Sequence, residues 1–75
     1  MPTNDPVLIG FGQAVRNQRK AKGLSQEKLA ERAELDPTYI SGIERGKRNP
    51  GIKNVVRIAK AMGITTATLV KGVDV

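Results

Sequence analysis

Apolar residues recur along this chain at spacings of three and four and nowhere sustain the alternation of a strand, so the pattern predicts helices throughout. Asp5-Pro6 is a cap followed by proline at a first helical position, where the N–H that proline lacks would be unpaired anyway. Leu8, Phe11 and Val15 then share one face, which predicts a helix from Pro6 to about Lys22, stopped by Gly23. Gly10 and Gly12 each disfavour its first half by up to ~1 kcal/mol against alanine, which leaves a start nearer Phe11 open. A second helix is expected from about Gln26 to Ala33, with Ser25 as its cap. Asp36-Pro37 repeats the opening signal and begins a third, ending near Arg45. Lys47 to Gly51 read as a loop. Ile52, Val55, Val56, Ile58, Ala59 and Met62 make an apolar stripe ~160° wide, so a fourth helix runs to Met62 and stops at Gly63. A short fifth starts at Thr65, passes Leu69 and Val70, and stops at Gly72. Residues 1–4 read as a loose end. The expectation is an all-α, five-helix single domain over 1–75, with no internal repeat and no low-complexity tract.

The third helix is two-faced. At ~100° per residue, Thr38, Ser41, Gly42 and Arg45 fall within one narrow arc, while Ile40 and Ile43 lie opposite with Glu44 beside them. Such a helix packs inward by its isoleucines and offers small polar groups and one arginine outward. Glu44 on an apolar face has a counterpart in Arg19, which shares the apolar face of the first helix. The economical expectation is that the two charges meet, as structural residues and not as part of a site.

Composition narrows the chemistry. The chain has 75 residues, enough for one small domain with a modest core, for which oligomerisation is a natural supplement. It has no cysteine and no histidine, which removes the disulfide framework, the commonest metal ligands and the usual general base. No paired-carboxylate motif and no phosphate-cradling glycine loop is present, so no catalytic residue, metal or cofactor is expected. Thirteen basic against seven acidic residues leave a net charge of +6, which favours an anionic partner. No apolar run approaches the ~20 residues that span a bilayer, and no secretory signal is seen, so a cytoplasmic protein with no membrane partner is the expectation.

The stretch FGQAVRNQRKAKGLSQEKLAERAELDPTYISGIERGKRNP resembles the lambda-repressor/Cro-like helix-turn-helix family, with the motif at about residues 25–45. The continuation GIKNVVRIAKAMGITTATL resembles that family's fourth and fifth helices, so the likeness runs from about Leu8 to Lys71. Small Ala30, apolar Leu29, Leu35, Ile40 and Ile43, and the ending Glu44-Arg45-Gly46-Lys47 carry it. TYISGIERGKRNP is similar, more narrowly, to the controller proteins of restriction–modification genes. Two positions depart from the family. Glu34 stands where the turn commonly holds a left-handed glycine, and Pro37 stands where relatives often carry a polar or basic reader.

The resemblance implies a sequence-specific regulator of transcription whose third helix enters the major groove of double-stranded DNA. Thr38, Tyr39, Ser41, Gly42 and Arg45 are then candidates to meet bases or adjacent phosphates, with Arg45 suited to guanine and Gly42 permitting close approach. Ser25 and Gln26 at the start of the second helix suit a phosphate, and Lys47 and Arg48 in the loop are expected to hold the backbone. Each has a structural alternative: Ser25 as a cap only, Tyr39 as an edge packer, the basic loop as solvated charge. One exposed helix reads too few base pairs for a specific site, which implies a homodimer on a palindromic operator. Ile64, Leu69 and Val70 offer the apolar area for that pairing, and so small a chain has no space for an effector-binding domain. An antitoxin-type or phage-type repressor and a helical protein-interaction module are the rival readings. Neighbouring genes discriminate the first, and a gel shift with random-sequence DNA the second.

Overall fold

A computed structural model describes residues 5–73. Five helices follow in order: α1 (Pro6–Ala21), α2 (Gln26–Ala33), α3 (Pro37–Glu44), α4 (Ile52–Ala61) and α5 (Thr66–Val70). No strand occurs among the described residues. The expected loose end at residues 1–4 lies outside them.

The caps at Asp5, Ser25 and Asp36 fall where the sequence pattern places them. Asp5 Oδ1 accepts from the N–H groups of Val7 and Leu8 at 2.9 and 3.4 Å, and Asp36 Oδ1 accepts from Thr38 N–H at 2.8 Å. Ser25 Oγ takes Lys28 N–H at 3.0 Å, and Thr65 Oγ1 takes Thr68 N–H at 3.0 Å. These contacts occupy donors that a helix start otherwise leaves to water. Lys22, Met62 and Thr65, expected as helical ends, sit one step outside as flanking caps.

α1 begins at Pro6 and not at Phe11, although Gly10 and Gly12 fall in its first half. The reason is tertiary. A Cβ on Gly12 would press into the backbone of α3, meeting the Ile43 carbonyl oxygen and standing 2.7 Å from the Glu44 oxygen. Glycine here lets α1 and α3 meet backbone to backbone, and that contact offsets what glycine costs in helix propensity.

α2 ends in a tight reversal. Leu35 N–H bonds the Ala30 carbonyl at 2.9 Å and Glu34 N–H that of Glu31 at 3.2 Å, the pattern of a helix stop with a left-handed residue. That residue is Glu34, at φ 58°, the only non-glycine with positive φ among the described residues. The departure expected from sequence is therefore present as a strained glutamate at the turn between α2 and α3.

The core gathers Phe11 and Val15 of α1, Leu29 and Ala30 of α2, Ile40 and Ile43 of α3, Val55, Ile58 and Ala59 of α4, with Met62 and Leu69. Every helix gives one stripe to a single interior. Leu69 is buried at 1% exposure, which corrects its expected place on a dimer surface. In a five-residue helix the largest apolar side chain goes to the core, which leaves Val70 outside.

Candidate nucleic-acid interface

The site is built on α3 and held from inside by charge. Arg19 Nε donates to Glu44 Oε2 at 2.6 Å and Nη2 to Oε1 at 3.0 Å, a two-pronged pair in which the Glu44 side chain is 1% exposed. Arg19 Nη1 also donates to the Leu24 carbonyl at 2.7 Å. The hydrogen bond to Glu44 holds the Arg19 guanidinium above its ordinary pKa, against the pull of burial. No buried side-chain nitrogen or oxygen among the described residues lacks a partner. α1 is thereby fastened to the end of α3, and the expectation that these two inward charges meet is met.

Gln26 is drawn into the same knot. Its Nε2 donates to Glu44 Oε1 at 3.1 Å, tying the start of α2 to the end of α3. On the other flank, Asn54 Nδ2 in the first turn of α4 donates to the Tyr39 hydroxyl at 3.1 Å. α3 is therefore tied near its two ends to the first turns of α2 and α4. Their first-turn N–H groups carry partial positive charge and favour phosphate.

The outward side of α3 carries the candidates unevenly. Thr38 and Arg45 are exposed, and Ser41 is half-buried. Arg45 is the residue after the helix, and its Nε leans back to the Ser41 carbonyl at 3.3 Å. Tyr39 is half-buried against the core, which supports its expected packing role, while its hydroxyl accepts from Asn54 and keeps its own proton to donate. Ser25 is a cap and is exposed, so both of its expected roles are compatible.

Two candidates lie elsewhere than the sequence pattern implies. α3 ends in the same type of stop as α2, with Lys47 N–H on the Gly42 carbonyl at 2.9 Å and Gly46 N–H on that of Ile43 at 3.0 Å. Gly46 takes φ 73°, a conformation made for glycine, and turns the chain back along the helix. Arg48 consequently returns across α3: its guanidinium stands 5.8 Å from the Tyr39 ring centre. Its aliphatic stem covers Gly42, which is buried and not open for close approach as expected. Lys47 remains exposed in the loop.

Sequence reasoning missed Asn54 as the prop of Tyr39, because a fifteen-residue separation carries no periodic signal. It also missed the role of Gly12, which reads in sequence only as a helix weakener. No group of three or more potential metal ligands occurs among the described residues, and no described helix is long and apolar enough to cross a membrane.

The sequence profile described as helix-turn-helix matches residues 15–69. The chain is 51% identical over 63 residues to the control protein C.BamHI of Bacillus amyloliquefaciens, covering 83% of this chain and 76% of that protein. It is 41% identical over 69 residues to the control protein C.MunI of a Mycoplasma species, covering 91% and 93%. The crystal structure of the restriction-modification controller protein C.AhdI from Aeromonas hydrophila superposes with a TM-score of 0.81 at 47% identity, covering 83% of this chain and 94% of that one.

Proposed function

The chain belongs to the helix-turn-helix family of DNA-binding regulators, and from that premise we propose that it is a controller of restriction–modification genes, acting as a homodimer on a palindromic operator. The observation that carries the DNA reading is the polar outer side of α3, a helix tied to the first turns of α2 and α4. A major groove accepts a single helix, and those helix N-termini suit its phosphates. Thr38, Ser41 and Arg45 meet base edges, with Arg45 on guanine. Ser25, Gln26 and Lys47 hold phosphates, and the Tyr39 hydroxyl donates to a phosphate or base at the groove edge.

The dimer reading gains a face. Val7, Ile52 and Val70 are 47%, 71% and 39% exposed, and all three line one groove of about 210 Å³ with Leu8, Phe11 and Pro50. No charged side chain lines it. It adjoins the loop that leaves α3, and two copies paired there about a two-fold axis present two α3 helices related by that axis, as a palindromic operator requires. Ile52, at the start of α4, thus replaces Leu69 in the expected pairing surface.

The test is selection of bound sequences from a random DNA pool, with the mass of the complex read by sedimentation. A palindromic sequence occupied by two chains is expected, and Ile52→Lys should give a monomer with weakened operator binding. Selection of asymmetric sites by a single chain would overturn the homodimer. A retained dimer in Ile52→Lys would move the interface elsewhere.

A further inference from the structure

We infer that Gly42 is a positioning residue, a slot that seats Arg48 across α3 so that Arg48 reads a guanine. This inference rests on the DNA-binding reading above. Counted along the chain, Arg48 is a loop residue whose natural partner would be a phosphate. In space it is held against the recognition helix by two independent contacts. A Cβ on Gly42 would stand 2.7 Å from Arg48 Cγ, 3.7 Å from Cδ and 3.6 Å from Nε, so the absent side chain is the space the stem fills. The guanidinium then lies over the Tyr39 ring at 5.8 Å, where the ring's face attracts a cation. Tyr39 is itself fixed by the bond from Asn54 at 3.1 Å.

The charge and accessibility fit a reader. Arg48 is exposed, and no acidic group pairs with it among the described residues. Gly42, which the stem covers, falls between Thr38 and Tyr39 on the helix wheel. An arginine fixed at its stem and stacked at its head loses little further freedom when it bonds O6 and N7 of guanine in parallel. A phosphate needs no such seat, because it can be met from many directions by a mobile side chain. The turn at Gly46 completes the device, since only a reversal of the chain brings Arg48 back over Gly42.

Gly42→Ala separates this role from a structural one. Alanine is the better helix former, and what it displaces is a side chain, not a backbone, so the melting temperature should hold or rise. The seat is lost all the same. The experiment compares the wild type, Gly42→Ala, Arg48→Ala and the double variant by selection from a random DNA pool, then by affinity for the selected operator and its point variants at several salt concentrations. Arg48→Ala should reduce discrimination at one symmetric guanine by about tenfold or more. Gly42→Ala should reduce discrimination at that same position, and the double variant should add nothing further. Uniform weakening by Arg48→Ala across all sequences, with a flatter salt dependence, would make Arg48 a phosphate holder and overturn the inference while leaving DNA binding intact. Unchanged base preference in Gly42→Ala would overturn the slot. A wild type that selects no sequence would overturn the DNA-binding reading and this one with it.

Discussion

The inner and outer sides of α3 solve opposite problems with the same residue types. Each side uses a glycine to admit a neighbour and an arginine to complete it. Inside, Gly12 of α1 lets two backbones meet, and Arg19 closes on Glu44 with its charge matched and its donors used. Outside, Gly42 admits only a side chain, and Arg48 and Arg45 face water with no carboxylate partner among the described residues. A matched charge inside holds a fold, while an unmatched one outside is free for an anion. Glu44 and Arg45 show how sharp the division is, since they are adjacent in sequence, one at 5% exposure and the other exposed.

The largest effects should come from breaking the inner side. Arg19→Met and Glu44→Leu each leave a charge buried without its partner, which costs about 3–5 kcal/mol. In a domain this small that is most of the stability, so thermal melting should show either variant largely unfolded near room temperature. The double change should recover part of the loss, and strictly additive losses would show that the pair is not coupled. Gly12→Ala comes next. Its Cβ meets backbone atoms of Ile43 and Glu44, which cannot rotate away, and a loss of about 1–3 kcal/mol is expected. A melting temperature equal to the wild type's would mean that α1 and α3 are less closely applied than the structure has them.

The outer side should respond in binding and not in folding. Arg45→Ala is expected to cost ~1–3 kcal/mol per half-site and to relax preference at one symmetric base position, with stability changed by no more than about 0.5 kcal/mol. Lys47→Ala should weaken all sequences alike and reduce the slope of log affinity against log salt by ~1 per half-site, because one fewer counterion is released. Exchange of these two patterns between Arg45 and Lys47 would reverse their roles.

The smallest effect belongs to the turn that joins the sides. Glu34 holds φ 58°, so Glu34→Gly should relieve strain and stabilise by up to ~1 kcal/mol, less the entropy that glycine adds to the unfolded chain. Chemical denaturation at neutral pH measures it, and a clear loss of stability would show that the glutamate side chain contributes more than its backbone strain costs.

The sequence by itself determined whatever is local. Caps at Asp5, Ser25 and Asp36, stops near Gly23 and Gly63, and the stripe of α4 all follow from interactions within a few residues. The pairing of Arg19 with Glu44 was legible too, because two charges on apolar faces have few other ways to be satisfied. Only the tertiary structure decided what depends on distance between atoms far apart in the chain. Gly12 read as a weak point in its helix and Gly42 as a gap open to DNA, and the meaning of each is the neighbour that fills the missing Cβ. Leu69 read as surface until the interior claimed it, and Arg48 read as loop until Gly46 turned the chain back. Periodicity records which way a side chain points from its own helix, and it carries no record of what stands opposite.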